Sequence, residues 1–230
     1  MKIVSKTDVG RVRLTNEDTL VLGRGLYGIA DGMGGHRGGN IASSLAAETL
    51  VMFLRDRQPS ERMLEIGIAE ANRAVFERQL ADPNLEGMGT TLTVLWEARD
   101  RVIIGHVGDS RAYLFRDGKL TQMTDDHSLV AEMVRQGSIT EQEARVHPYR
   151  NMITRAVGTD RKVLADIFQQ EKRRGDIWLL CSDGLTEYIT GPELEKTLKS
   201  CPIGPAADKM LAAALDGGGR DNVSLILAEA

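Results

Sequence analysis

Five aspartates, Asp18, Asp31, Asp109, Asp183 and Asp221, fall at expected ends of β-strands. Four of them adjoin a glycine or lie within two residues of one, as in Asp31-Gly32, Gly108-Asp109, Asp183-Gly184 and Gly219-Arg220-Asp221. A single aspartate in such a place is ordinarily a turn residue or a helix cap. The same neighbours recurring around five acids point to one shared site, provided that the strands belong to one sandwich and end at one rim. Carboxylates gathered there repel one another and raise each other's pKa values. They tolerate this only when solvated apart or neutralised by cations. Oxygen ligands with few histidines favour Mg²⁺ or Mn²⁺ over zinc. Two such ions roughly 3.5–4 Å apart generate a nucleophile from water and clamp a phosphoryl group. Arg13 is the matching cation, since a guanidinium meets a phosphate with two parallel hydrogen bonds. Taken alone, an arginine here is more often a surface ion pair. It reaches the rim if residues 2–9 pair with residues 19–22.

The densest stretch of this kind runs Gly28-Ile29-Ala30-Asp31-Gly32-Met33-Gly34-Gly35-His36. Residues 26–30 read as a buried strand that stops at Asp31, and a helical pattern begins after Gly39. An acid at a strand tip, a glycine loop and a helix start can hold an ion or a phosphate. An ordinary turn with a solvated aspartate has the same appearance.

The elements that must position these residues follow from periodicity. Residues 2–9 alternate loosely, as an edge strand does, and residues 19–22 form a second short strand. Residues 40–55 and 61–80 carry apolar positions at helical spacing, with Ser60 as N-cap of the second helix. Residues 90–96, 102–107, 111–116 and 119–123 read as an antiparallel meander, closed by an Asp117-Gly118 hairpin. Thr140 with Glu143, and Thr190 with Glu193, form capping boxes. Strands are expected over 165–170, 177–181 and 223–227, and an alanine-rich helix over 205–215. Strands come in blocks and the two long helices are adjacent. This predicts an α+β fold of two antiparallel sheets flanked by helices rather than a doubly wound parallel sheet.

The 230 residues suit one domain, 1–230, without a linker or repeat. A net charge of −4 argues against a nucleic-acid surface. No apolar run approaches the roughly 20 residues of a membrane span. Met1 to Ser5 show no leader-like apolar region, and Cys181 and Cys201 form no CxxC pair. A cytoplasmic monomer is therefore expected.

The motifs, taken together, resemble a known family. Asp8-x-Gly10-x-x-Arg13-x-x-Asn16-Glu17-Asp18 and Ala30-Asp31-Gly32-Met33-Gly34-Gly35-His36 are similar to the start of bacterial metal-dependent protein phosphatases of the PP2C family. Gly89-Thr90-Thr91, Val107-Gly108-Asp109-Ser110-Arg111, Cys181-Ser182-Asp183-Gly184-Leu185 and Asp221-Asn222 resemble its later motifs in the family's order. Asp126-His127-Ser128 and His147-Pro148-Tyr149-Arg150-Asn151 resemble its bacterial subgroup.

The resemblance implies a four-layer αββα sandwich with two Mn²⁺ or Mg²⁺ ions at one end. Asp31 would bridge both ions, and the Gly32 carbonyl would reach one. Asp183 and Asp221 would complete the other, and Asp18 would lie in the ligand shell. Glu17 would hold a bound water. Asp109, with Asp183, would serve a third ion, and Arg13 would bind the substrate phosphate. Arg13, Asp31 and Asp183 are thus the expected catalytic set. The reaction implied is hydrolysis of phosphoserine or phosphothreonine in proteins by metal-activated water, opposing a bacterial Ser/Thr kinase. Met33 stands where many eukaryotic members carry a histidine, which leaves the proton donor to the leaving group open between a metal-bound water and His36. His106 is expected in the core, and His127 and His147 as local hydrogen-bonding residues. Residues 126–163 are expected to form a mobile flap beside the site. Two other readings share these residues: a small-molecule or nucleotide phosphoesterase, and a non-catalytic phosphoprotein-binding module. The full acidic set with Arg13 counts against the module.

Overall fold

A computed structural model of the chain describes residues 1–34 and 38–230. Two antiparallel sheets lie face to face. The first orders its strands β1 (Lys2–Asp8), β11 (Val223–Glu229), β10 (Ile177–Cys181), β7 (Arg111–Arg116) and β8 (Lys119–Gln122). The second runs β2 (Asp18–Gly23), β3 (Leu26–Met33), β5 (Leu92–Glu97), β6 (Arg101–Val107) and β9 (Asp166–Glu171), with the two-residue β4 (Gly89–Thr90) also on β3. Helices α1 (Gly39–Leu54) and α2 (Glu61–Ala81) cover the second sheet. Helices α5 (Asp183–Thr186), α6 (Gly191–Ser200) and α7 (Ile203–Asp216) cover the first. Helices α3 (Leu129–Arg135) and α4 (Glu141–Val146) lie between β8 and β9 in the chain. The predicted four-layer αββα sandwich is the fold observed.

The inner strands are apolar at almost every position because both of their faces are buried. In β10, Ile177, Leu179 and Cys181 face the α5–α7 layer, while Trp178 and Leu180 enter the core between the sheets. In β11, Val223, Leu225 and Leu227 face the helices, and Ile226 and Ala228 face the other sheet. The period of two sorts one apolar run into two cores. Burying side chains of this size contributes roughly 1.5–3 kcal/mol each, so strand order and register are strongly specified.

Three expectations need correction. Strand β1 pairs with β11, in register from Lys2 opposite Glu229 to Asp8 opposite Val223, and not with β2. Loose alternation marks an edge strand but not the sheet it joins, and β11, apolar on both faces, takes a neighbour on each side. The expected meander is two hairpins in different sheets: β5 pairs β6 in one, β7 pairs β8 in the other. The chain crosses between sheets at Gly108-Asp109-Ser110. Gly108 has φ +109°, and a Cβ there would lie 2.6 Å from the Thr91 side chain, so only glycine makes this turn. Strand β3 does not stop at Asp31 but continues to Met33 by pairing with β4. The 126–163 segment, expected as a flap, is laced across its own base and bonded to α2. Leu129 N–H donates to Met152 O (2.9 Å), Thr154 N–H to His127 O (2.9 Å), and Asn72 Oδ1 accepts from Gly158 N–H (2.7 Å).

Candidate active site

Asp18 and Asp31 face each other across the β2–β3 pair. Asp31 is held through its backbone: its N–H donates to Thr91 Oγ1 (2.9 Å), and its carbonyl accepts from Thr91 N–H (2.8 Å) and Thr90 Oγ1 (2.9 Å). These bonds form where β3 leaves β5 for β4, which aims Asp31 out of the sheet end. Gly32 follows because nothing larger fits: a Cβ would sit 2.1 Å from Gly39 O and 2.7 Å from Glu17 O. Gly32 N–H donates to Glu17 O (3.1 Å), so the start of α1, the approach to β2 and the end of β3 converge beside Asp31.

The first sheet supplies the other acids. Asp183 opens α5, directly after β10, and Asp221 stands before β11. Ser182 bridges the sheets: its hydroxyl donates to Asp18 Oδ2 (2.9 Å) and accepts from Ser224 N–H (3.0 Å). Asn222 ties the 9–17 loop to the start of β11, accepting from Glu17 N–H (2.8 Å) and donating to Val9 O and Thr15 O (both 3.0 Å). Arg13 reaches the rim by a route other than the one expected. Arg11 N–H donates to Gly219 O (2.6 Å), which lays the 9–17 loop against the start of β11, and Arg13 Nη2 then meets Asp221 Oδ2 at 2.7 Å. Asp109 enters from the crossover between sheets.

The electrostatics show that these acids share one field. Asp31 keeps part of its surface open yet lies among densely packed atoms. Lost hydration, and then the charges of Asp18, Asp183, Asp109 and Asp221, hold its pKa well above the ordinary carboxylate value. Asp183 is raised in the same way, by burial first and then by Asp109, Asp221, Asp18 and Glu187. Burial pushes Asp18 up to about 6 against the hydrogen bonds of Ser224 and Ser182. Asp109 is also pushed up to about 6, by burial and then by Asp126. Arg13 is raised by its bond to Asp221 and feels Glu17 and Asp31 as well.

Among the described residues, no three His, Cys, Asp or Glu side chains form a ready-made ligand group. The fit to a cation rests on the donor set and its charge. Asp18 Oδ1 is buried with no hydrogen-bond partner among the described residues. Carboxylates crowded at this density, with the Arg13 guanidinium paired to Asp221, suit a hard divalent ion. Beside Asp109 and Asp183 opens a groove of about 610 Å³, walled by Val134, Arg135 and Arg145 on one side and by Pro192 on the other.

A family model described as Protein phosphatase 2C matches residues 15–217. The chain belongs to the protein phosphatase 2C family. It is 39% identical over its whole length to the serine/threonine protein phosphatase PstP of Mycobacterium tuberculosis, and covers 45% of that protein. The chain thus spans about half the length of this relative. The serine/threonine phosphatase stp of Listeria monocytogenes is 38% identical, with 97% of this chain and 94% of stp covered. The crystal structure of M. tuberculosis PstP/Ppp superposes with a TM-score of 0.94 at 39% identity, covering 99% and 97% of the two chains. The catalytic domain of PstP in complex with two manganese ions superposes at 0.91 and 37% identity, again covering 99% and 97%.

Within this PP2C-family fold, all five aspartates singled out from the sequence, with Arg13, Glu17 and Gly32, lie at one end of the sandwich. His36 lies outside the described residues. His106 is buried as expected. His127 is not local: it reaches Gly108 and Asp166, 19 and 39 residues away. Three positioning residues, Thr91, Ser182 and Asn222, stand in the quoted motifs, but the sequence reading assigns them no role. Each is a polar residue at the end of an apolar run and next to a candidate acid or strand break, which is the signal that could have found them.

Proposed function

We propose that this chain hydrolyses phosphoserine and phosphothreonine monoesters in proteins, with divalent cations as cofactors. The observation that carries the proposal is the convergence of five mutually repelling carboxylates and the Arg13 guanidinium at a single rim, in a chain of the protein phosphatase 2C family. Asp31 and the Gly32 carbonyl, with Asp183 and Asp221, are the groups we assign to two Mn²⁺ or Mg²⁺ ions. Asp18 would lie in the same shell, Glu17 would hold water beside it, and Asp109 with Asp183 would serve a third ion. Such ions, when bound, lower the pKa of water and neutralise phosphoryl charge.

The chain's own residues do the rest. Arg13 presents parallel N–H donors to the phosphate oxygens and exchanges Asp221 for the substrate. Ser182 holds Asp18, Thr91 holds Asp31 and Asn222 holds the backbone at Glu17, so the acids keep their places as the ester binds. The groove of about 610 Å³ beside Asp109 and Asp183 offers space to residues flanking the phosphorylated one. Two free cysteines and the family's Ser/Thr phosphatases suit a cytoplasmic monomer that opposes a Ser/Thr kinase. Among the described residues, no helix is long and apolar enough to cross a membrane.

The test is a substrate panel with EDTA-stripped protein: phosphothreonine and phosphoserine peptides, an aryl phosphate and nucleotides, each with and without Mn²⁺. Mn²⁺-dependent release from the peptides is expected. Release from nucleotides alone would replace protein with nucleotide as the substrate, and release from none would leave a binding module.

A further inference from the structure

His127 clamps the turn that carries Asp109. Its own N–H donates to Gly108 O (2.8 Å), and Gly108 N–H donates to His127 Nδ1 (3.0 Å), so one residue engages both backbone groups of Gly108. A backbone N–H can only donate. His127 Nδ1 must therefore be the lone-pair nitrogen, and Nε2 carries the proton. Nε2 lies 3.1 Å from Asp166 Oδ2 and donates to it. Arg155 Nη1 also approaches Nε2, at 3.0 Å, but both nitrogens then bear hydrogen. Arg155 is satisfied instead by Asp166 Oδ1 (2.8 Å) and Leu164 O (3.0 Å).

A second histidine secures the other side of the same turn. The His106 ring lies 4.6 Å from that of His127, centroid to centroid. His106 Nε2 donates to Asp125 O (3.0 Å), which leaves Nδ1 to accept from Thr93 Oγ1 (2.9 Å). That hydroxyl is shared with Ser110 O (3.0 Å), on the far side of Asp109. Burial lowers the pKa of both rings, that of His106 to about 4. The His127 carbonyl accepts from Thr154 N–H (2.9 Å) where the 126–163 segment returns toward the fold. His127 therefore stands where the Asp109 turn, the root of that segment and the start of β9 meet.

We propose that His127 is a positioning residue that holds Asp109 in the acidic centre through the Gly108 N–H···Nδ1 bond. It touches neither substrate nor reacting atoms. The inference rests on the reading of Asp109 as an acid of the ion site. Groups that orient metal ligands typically change metal affinity or activity by roughly 10–100-fold when removed.

Two substitutions separate the two ring nitrogens. His127→Asn places an amide oxygen near the position of Nδ1 and keeps an acceptor for Gly108. His127→Gln reaches the position of Nε2, keeps the partner for Asp166 and leaves Gly108 N–H unpaired. Three readouts apply: Mn²⁺ calorimetry on stripped protein without substrate, amide hydrogen exchange of residues 106–112 without metal, and the Mn²⁺ dependence of phosphopeptide hydrolysis. His127→Gln is expected to weaken the weakest Mn²⁺ step about tenfold or more, to raise the Mn²⁺ needed for half-maximal rate by the same factor, and to speed exchange at residues 108–110. His127→Asn is expected to stay within about threefold of wild type. Equal losses in both variants, or a larger loss in His127→Asn, would overturn the proposal. If both variants fail to fold, Asp166→Asn decides, since it spares the Gly108 bond: near-wild-type Mn²⁺ affinity upholds the clamp, and a tenfold loss overturns it. Asp109→Ala is the reference. If it leaves Mn²⁺ binding unchanged, the ion-site reading of Asp109 fails. The exchange data then decide on the clamp alone: faster exchange in His127→Gln than in His127→Asn upholds it, and equal exchange overturns it.

Discussion

At the end of the sandwich away from Asp31, Glu97 accepts from Lys172 Nζ at 2.7 Å and from the chain's amino terminus at 3.2 Å. Asp176, at the start of β10, accepts from Arg116 Nε and Nη2 at 2.8 and 2.7 Å. Burial alone would raise the pKa of both acids, but the paired cations overcome it, and both are held below the ordinary carboxylate value. At the opposite ends of the same strands, Asp31 and Asp183 meet other carboxylates instead of lysine or arginine, and their pKa values rise. The scaffold and the residue class are the same. The difference is whether the chain brings its own cation. Where it does, the acid fastens strands together. Where it does not, the folded protein stores repulsion that an added divalent ion relieves.

The two ends can be set against each other by substitution. Asp183→Asn should lower turnover roughly 10³-fold, the scale of several kcal/mol of lost charge stabilisation. It should also raise the melting temperature of the metal-free protein, because one repelling charge is gone. Steady-state rates and melts in EDTA read both effects, and a wild-type rate would remove Asp183 from the site. Asp176→Asn should do the reverse. Breaking a largely buried pair costs about 3 kcal/mol, discounted for the partly open Arg116, while the Mn²⁺-loaded turnover number stays near wild type. A stable but slow Asp176→Asn variant would erase the distinction.

Much of this contrast was legible before the fold was known, and the division follows the range of the forces. The Asp117-Gly118 hairpin and the Thr140–Glu143 box (Thr140 N–H to Glu143 Oε2, 2.7 Å) stand where expected because neighbours a few residues apart decide them. The five aspartates were visible because each ends or begins an apolar run. The partner of β1 was not, since any strand with a free edge and a matching face could have taken it. Nor was the crossover at Gly108-Asp109-Ser110, because an apolar strand looks the same in either sheet. Asn222 looked like a neighbour of Asp221, and only contacts spanning 205 and 213 residues reveal that it ties the 9–17 loop to the rim.

Smaller effects sharpen the comparison. Arg13→Ala removes the guanidinium paired with Asp221 at the acidic rim. The loss of a charged hydrogen-bonded contact, roughly 1.5–3 kcal/mol, should raise KM for a phosphopeptide about 10–100-fold with a smaller change in kcat. An equal effect on an unphosphorylated competitor peptide would show that Arg13 does not read the phosphate. The gentlest test is a slope with pH. Asp18 is raised in the folded protein to about 6, from an ordinary value of 3.8. Between these values the folded state binds more protons than the unfolded one, so this group's contribution to stability falls as pH rises from 4 to 6. Metal-free melts of wild type and Asp18→Asn, compared across that window, should show the wild type losing ground as pH increases, and Mn²⁺ should restore it at pH 7.5. The acids at the other end, with lowered pKa values, follow the opposite sign and cancel in the difference.

What most needs testing is that divalent ions are held at the rim where Asp31 and Asp183 lack a cation of their own. Anomalous diffraction at the manganese edge, from crystals grown with Mn²⁺, tests this directly. The expected result is two strong peaks bonded to the Asp31 carboxylate, one of them shared with Asp183 and Asp221. Ordered Asp31, Asp183 and Asp221 side chains with no anomalous peak between them, at Mn²⁺ concentrations that support hydrolysis, would contradict it.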